Sequence, residues 1–224
     1  MRYILGFIIG LLLFSCDHRV KFSEAMPPTV EASGKIPEIF LGTFICESDS
    51  SRLYINEYSA IKESHFLFET SIQKVEETEN CSLVAGGLYL PGRQECIPFK
   101  YISEDSISAT IYELDTIFSF RENEVVKYYK GHLFVSFNNE KNEWETWMFT
   151  PQSDGTILFE FIAVPDNEKV IKDVTRDYSK RIDVNEKVHY TLNPSKKEFD
   201  EILNKHYLFE CDILIPVVLE NLIN

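Results

Sequence analysis

Carboxylates beside a tryptophan are the residues most capable of chemistry in this sequence. Glu143, Glu145 and Trp147 share one face of a predicted strand, because side chains alternate along a strand, and Glu160 lies on the next strand. Two carboxylates flanking a bound sugar carry out glycoside hydrolysis. The same pattern is also typical of the solvated face of an antiparallel sheet. We therefore expect no catalytic residue here, and a hydrolase that uses Glu145 and Glu160 is the alternative.

The five histidines give no support for a metal site or a cofactor site. They are His18, His65, His132, His189 and His206, and none has another ligand type at a known metal-binding spacing. The sequence also contains no phosphate loop, nucleophile elbow or dinucleotide fingerprint. We expect no metal and no cofactor.

Cysteines supply the third set of reactive groups, at positions 16, 46, 81, 96 and 211. If Cys16 has a role other than disulfide formation, four cysteines remain, and an even number is usual for disulfides in an oxidising compartment. We favour Cys81–Cys96, which closes a local loop, and Cys46–Cys211, which ties the first predicted strand of the domain to the last. The alternative is four buried free thiols. No CxxC spacing occurs, so a zinc site or a thioredoxin-like redox motif is not indicated.

The first 16 residues decide where the rest of the chain resides. Arg2 precedes an apolar run from Tyr3 to Phe14, which is too short to span a bilayer comfortably. The run ends in Leu13-Phe14-Ser15-Cys16, which resembles the lipobox of bacterial lipoproteins. This resemblance implies diacylglyceryl transfer to the Cys16 thiol, cleavage after Ser15 and acylation of the new amino terminus. A plain secretory signal or a single anchor helix is the alternative.

Charge and anchor together limit the partners. The chain has 22 Lys and Arg against 36 Asp and Glu, a net charge of −14, so nucleic acid is excluded as a partner. The lipobox implies membrane attachment through the lipid in the bacterial cell envelope. No acidic run of the kind that resembles a surface-export signal follows Cys16, and we expect the domain to face the periplasm.

The chain divides into three parts. Residues 1–16 are the signal peptide with its anchor cysteine. Residues 17–38 contain Pro27-Pro28, Ser33-Gly34 and Pro37 and show no apolar period, which predicts a flexible tether. Residues 39–224 form a single β-rich globular domain.

Elements within the domain are predicted from periodicity and turn residues. Short apolar runs separated by polar turns indicate an all-β, mainly antiparallel fold. Residues 132–164 form a three-stranded meander with a turn at Asp154-Gly155, and Trp144 and Met148 face its core. Short helices follow at Asn167–Thr175 and after Asn193, near the C-terminus.

The second of these helices has two further signals. Ser195 and Glu198 have the spacing of a capping box, and His206 falls on the apolar helix face that is expected to pack onto the sheet.

A resemblance to the lipocalin and calycin families refines this fold class. Gly42-Thr43-Phe44 lies on the first predicted strand of the domain, where lipocalins carry Gly-x-Trp, and Phe replaces the Trp here. The resemblance implies a lipocalin-like barrel or a sandwich, with one or two short helices near the C-terminus. It is used for the fold alone, because a fold does not determine a function.

We expect a non-catalytic envelope lipoprotein that binds a small apolar ligand or a protein partner. The alternatives are the hydrolase and an inhibitor or immunity-type protective lipoprotein. An open apolar interior favours the small ligand, and a packed interior with a large acidic or aromatic patch favours the protective protein.

The anchor cysteine gives the first testable prediction. Cys16→Ser removes the thiol that accepts the lipid, so we expect an uncleaved leader and complete loss of fatty-acid labelling. Metabolic labelling with a palmitate analogue measures this, with Cys96→Ser as the matched control that keeps its label. Equal labelling of both variants would contradict the lipoprotein assignment.

Overall fold

The structure is a computed structural model that describes residues 20–217, except positions 86, 94, 121–123 and 140. Cys16 and the rest of the predicted leader lie outside the described residues. The strands are β1 (Lys21–Phe22), β2 (Gly42–Cys46), β3 (Arg52–Ile55), β4 (Ser59–Ser71), β5 (Ser82–Val84), β6 (Gly87–Tyr89), β7 (Phe99–Tyr101), β8 (Ser106–Ser119), β9 (Glu124–Tyr129), β10 (His132–Asn138), β11 (Trp144–Pro151), β12 (Ile157–Ile162), β13 (Tyr178–Ile182), β14 (Val188–Leu192) and β15 (Leu208–Pro216). The helices are α1 (Ile72–Glu77), α2 (Glu168–Val174) and α3 (Lys196–Asn204). This confirms the predicted all-β, mainly antiparallel class.

Thirteen of these strands form one branched sheet. Its main path is β13-β14-β1-β11-β12-β15-β2-β3-β4-β8-β7, and β10 and β9 extend from the other edge of β11. All pairs are antiparallel except β1 with β14. None of the helices that the structure describes has the length and apolar character needed to cross a membrane.

One face of the sheet encloses an apolar cluster, here called the inner core. It collects side chains from β2, β3, β4, β8, β9, β10, β11, β12 and β15. Strands from distant parts of the sheet can meet in one cluster only if the sheet curls around it. The cavity left inside has a volume of only about 20 Å³, so the inner core is packed.

The opposite face of β10, β11 and β12 supports a second cluster, here called the outer core. Helices α2 and α3 cover it, with Ile171, Phe199 and Ile202 fully buried. The helix α3 begins at the predicted capping box, in which the Ser195 side chain and Glu198 bond each other's backbone N–H. The two predicted C-terminal helices are thus present, and α1 is an additional helix.

A long hairpin extends from the curled sheet. Its strands β4 and β8 contain 13 and 14 residues and pair along their whole length. The distal end packs on α1, β5, β6 and β7 around the buried residues Val75, Leu88 and Ile107. We call the exposed middle of this hairpin, residues 63–67 and 110–114, the arm.

Residues 20–38 are not the predicted flexible tether. Val20, Phe22 and Met26 are buried in the outer core, and Ile36 is buried in the inner core. The backbone N–H of Ser33 bonds the carbonyl of Val126 on β9. The buried apolar residues lie at irregular spacings, which is why no period indicates their burial.

The predicted meander is confirmed, with one correction to its faces. The strands β10, β11 and β12 pair consecutively, and Gly155 turns at φ 87° between the last two. Met148 is buried and Trp144 is half-buried, both in the outer core. Trp147 does not lie on a solvated face but packs against the inner core. Both faces of β11 are therefore covered, which simple alternation does not reveal.

Burial of the N-terminal segment can be tested at one side chain. Ile36 is 2% exposed, so Ile36→Ala should lower the free energy of unfolding by about 2–5 kcal/mol. Urea unfolding measures the effect. Ile39 is 60% exposed, and the same truncation there should cost about 0.5 kcal/mol or less. Equal, small effects at both positions would contradict the burial of this segment and support the predicted flexible tether.

Candidate functional site

A cleft on the outer face of the sheet is the strongest candidate site. Its volume is about 380 Å³, within the usual range of small-molecule pockets. We call it the outer cleft, and it is lined by Lys130, His132, Met148, Thr150, Leu158, Glu160, Asp200, Leu203, Asn204, His206 and Leu208.

Several separate elements position these side chains. Met148 on β11 and Glu160 on β12 are direct cross-strand neighbours on the outer face. The helix α3 ends at Asn204, so it covers only part of that face and forms one wall. His206 follows the helix at φ 51° and lies outside it, which corrects the prediction that it shares the buried helix face. The result is a cleft with an apolar floor and a polar rim.

Glu160 is the most unusual group in the outer cleft. No described residue donates a hydrogen bond to its carboxylate or forms an ion pair with it. Partial burial raises the pKa of Glu160, and the charge of Glu210, directly opposite on β15, raises it further. The nearby His206 acts in the other direction. A carboxylate that is partly desolvated and lacks a donor is suited to receive one from a ligand.

His132 lies on the other side of β11 in the same cleft. Its Nδ1 is 2.8 Å from the Thr150 hydroxyl oxygen, its cross-strand neighbour. Burial lowers the pKa of the His132 imidazole, which favours the neutral ring at neutral pH. The ring can therefore exchange hydrogen bonds with a ligand without adding charge.

The lining of the cleft contains one ion pair. Lys130 Nζ lies 2.9 Å from an Asp200 carboxylate oxygen, and the Tyr129 hydroxyl donates to the same carboxylate at 3.1 Å. This pair raises the pKa of Lys130. Asp200 is therefore already neutralised, which leaves Glu160 as the acid of the cleft without a partner.

The carboxylate pair that the sequence suggests for a hydrolase is not assembled. Glu160 faces the outer side with Met148, whereas Glu145, an odd number of residues from Met148 on the same strand, points to the other face. Glu145 forms an ion pair with Lys21 instead. Glu143 lies near Arg181, at 3.7 Å.

Neither predicted disulfide is present, since the four described cysteines form no disulfide with one another. Cys46 is level with Leu214 on the adjacent β15, three residues and about 10 Å along the strand from Cys211. A disulfide requires Cα atoms within about 7 Å. In each predicted disulfide, the strand register keeps the two cysteines too far apart to bond.

The Cys81–Cys96 disulfide does not form, because a strand lies between the two segments that carry these residues. Cys81 precedes β5, and β6 lies between β5 and the bridge that Ile97 makes with Leu88. Cys96, next to Ile97, is thus two strand spacings from Cys81, or about 10 Å.

Cys46 belongs to a polar cluster that already contains one positively charged side chain. Its sulfur and the carboxylates of Asp49 and Asp212 have ligand atoms within 4.8 Å of one another. Lys62 Nζ lies 2.8 Å from Asp49, and Ser48 donates to Asp212 at 2.6 Å. Burial raises the pKa of the Cys46 thiol, which favours its neutral form. The Lys62 ammonium thus supplies a positive charge next to Asp49 in this cluster.

Two other surface features are weaker candidates. A hollow of about 560 Å³ on β2 and β3 borders Val217, where the described part of the chain ends, and its lining contains no carboxylate or imidazole. The arm exposes Leu67, Tyr112 and Leu114 on one face, each at least 61% exposed. Scattered apolar residues are ordinary, but three on one face of a two-stranded ribbon form a patch.

Comparison with known proteins provides no relative. No protein-family model, no curated protein and no solved structure matches the chain.

Sequence reasoning identified Glu160 but not the group around it. His132, Lys130 and Asp200 come from β10, a turn and α3, and nothing in their sequence spacing connects them. Side chains alternate along β12, so Glu160 points to the face opposite to that of its chain neighbours Phe159 and Phe161. This alternation is the one local indication that Glu160 faces away from the inner core.

The raised pKa of Glu160 can be tested by NMR titration of its carboxyl carbon. Glu210→Gln removes a like charge, so the pKa of Glu160 should fall toward its ordinary value, while the remote Glu79→Gln should leave it unchanged. A pKa that does not move in Glu210→Gln would contradict the described register.

Stability should follow the same ionisation. A carboxyl whose pKa is raised on folding favours the fold below its unfolded pKa, and this contribution is lost as pH rises through the folded pKa. Glu160→Gln should therefore be more stable than the parent at neutral pH and equal to it below pH 4.5, the ordinary value for this group.

Proposed function

We propose that this protein is a lipid-anchored, non-catalytic binding protein of the bacterial cell envelope, facing the periplasm, and that it binds a small, partly apolar ligand in the outer cleft. The observation that carries the proposal is the pairing of a 380 Å³ cleft with an unpartnered carboxylate, Glu160, above an apolar floor. Attachment to the membrane rests on the resemblance of residues 13–16 to a lipobox.

The outer cleft is a better ligand site than the interior of the curled sheet. A lipocalin-like protein would hold its ligand inside, but the cavity there is about 20 Å³, the size of a water molecule. The outer cleft is about twenty times larger. It also combines apolar and polar lining, as sites for small molecules usually do.

The lining indicates the chemistry of the ligand. Met148, Leu158 and Leu203 provide an apolar floor for a hydrocarbon body. Glu160 would accept hydrogen bonds from a cationic or donor-rich group, and a primary ammonium is the simplest one that fits. An anionic ligand is disfavoured, because Glu160 faces Glu210 and the chain carries a net charge of −14.

Catalysis has less support than binding. Glu145 and Glu160 point to opposite faces of the sheet, so the pair proposed for glycoside hydrolysis has no common substrate position. The Thr150 hydroxyl in the outer cleft lies 2.8 Å from His132 Nδ1, so it already has a hydrogen-bond partner.

A protein partner bound to the arm is a second candidate function. The exposed side chains of Leu67, Tyr112 and Leu114 favour it, and Glu63 lies directly opposite Leu114 on the same face. A partner that fits would present an apolar patch rimmed by basic residues. This function corresponds to the inhibitor or immunity-type protein that a packed interior favours.

Ligand binding can be tested by calorimetry with simple probes. We expect n-hexylammonium to bind residues 17–224, and hexanoate not to bind. Leu203→Trp fills the outer cleft and should weaken n-hexylammonium binding by at least about tenfold, or about 1.4 kcal/mol. Far-UV circular dichroism checks that the variant is folded.

The arm provides the matched control for this experiment. Leu67→Trp adds the same indole at a position 69% exposed, and it should leave the affinity for n-hexylammonium unchanged. Equal loss in both variants, or no binding of either probe to the parent, would contradict the outer cleft as the site.

A further inference from the structure

The turn between β13 and β14 exposes apolar side chains to an unusual degree. Ile182 and Val188 are direct cross-strand neighbours and are 63% and 37% exposed. Val184, in the turn itself, is 97% exposed. We call these three residues the apolar tip. An exposed apolar cluster of this kind is typical of a contact surface.

The turn holds these residues outward through Asp183. Its carboxylate accepts hydrogen bonds from the backbone N–H groups of Asn185 and Lys187, at 2.8 and 3.0 Å. His189 Nε2 lies 2.9 Å from its second oxygen, and these contacts lower the pKa of Asp183 to about 2. The hydrogen bonds of the Asp183 carboxylate are thus all made within the hairpin, and the Val184 side chain projects from the turn into solvent.

The apolar tip lies on the side of the domain where the chain comes from Cys16. The strand β1 is parallel to β14, with Lys21 level with Thr191 and Phe22 level with Leu192. Toward its N-terminus, the chain therefore leaves β1 on the same side as the β13–β14 turn. Cys16 precedes the buried Val20 by only four residues, which span at most about 14 Å.

These lengths allow Cys16 to reach the level of the apolar tip. Val188 lies three residues before Thr191 on β14, or about 10 Å along the strand. Because Thr191 is level with Lys21, Val188 lies two residues, or about 7 Å, beyond the level of Val20, and the turn with Val184 extends further. A lipid on Cys16 would enter the bilayer at about the level of the tip.

The surroundings of the tip are close to neutral in an otherwise acidic protein. Residues 178–192 contain Lys180, Arg181 and Lys187 against Asp183 and Glu186, a sum of +1, while the whole chain has −14. Lys180 and Arg181 lie near Glu168 and Glu143, at 3.4 and 3.7 Å. The tip can therefore approach an anionic membrane with little electrostatic repulsion. Its contribution to membrane binding would come from burial of its apolar side chains.

We propose that the apolar tip enters the interface of the bilayer that holds the Cys16 lipid. This inference rests on the proposed lipid anchor. The occupant of the surface is the lipid headgroup and acyl boundary, into which apolar side chains of peripheral proteins insert. The tip and the lipid then form two contacts, which fix the orientation of the domain on the membrane.

The test uses the full lipidated chain in vesicles of phosphatidylethanolamine and phosphatidylglycerol, with an indole placed on the tip. The emission of Val184→Trp should shift to shorter wavelength on reconstitution and be quenched by lipids brominated near the headgroup. Leu67→Trp, on the arm, is the matched control and should show neither change. Emission from Trp144 and Trp147 is subtracted with the parent protein.

Each outcome has a separate meaning. A vesicle-bound protein whose Val184→Trp emission matches that of Leu67→Trp would overturn the inference and leave the anchor intact. Failure to associate with vesicles, together with absent fatty-acid labelling, would overturn the anchor itself. An emission shift of Val184→Trp that appears only at high protein density, without quenching by brominated lipid, would show that a second copy of the chain covers the tip. This result would also overturn the inference.

Discussion

A buried lysine joins the N-terminal segment to the sheet, and much of the architecture depends on this contact. Lys127 on β9 is 7% exposed, and its Nζ donates to the carbonyl oxygens of Ala25 and Pro27 at 2.6 and 2.7 Å. Burial lowers the pKa of Lys127, so the two carbonyls offset part of the desolvation of its charge. The contact fixes one segment that contributes Phe22 to the outer core and Ile36 to the inner core.

The two faces of the sheet have different consequences for function. The inner face curls and fills its own core, which leaves no room for a ligand. The outer face is covered by α3 only as far as Asn204. A β-bulge between Phe159 and Glu160 in the pairing of β12 with β15 lies at the edge of the uncovered part. Bulges commonly re-aim a side chain, and this one brings Glu160 and Glu210 opposite each other.

Local signals predicted the parts of the fold that local physics determines. The turn at Gly155 and the capping box at Ser195 and Glu198 each satisfy backbone groups within a few residues, so short patterns reveal them. The cysteine pairings, the burial of residues 20–38 and the grouping of His132 with Glu160 depend on strand register between distant segments. No local pattern encodes that register, and the N-terminal segment has no periodicity to reveal its two cores.

The loss of the expected tether changes how a lipid anchor would act. A flexible segment of the predicted length would let the domain move about 25 Å from its lipid, because the mean span of such a chain grows as about 5–6 Å times the square root of its length. The buried Val20 leaves only residues 17–19 between Cys16 and the folded domain. A lipid on Cys16 would therefore hold the domain against the bilayer, and in the arrangement proposed above the surface around β1 and the β13–β14 turn would face the membrane.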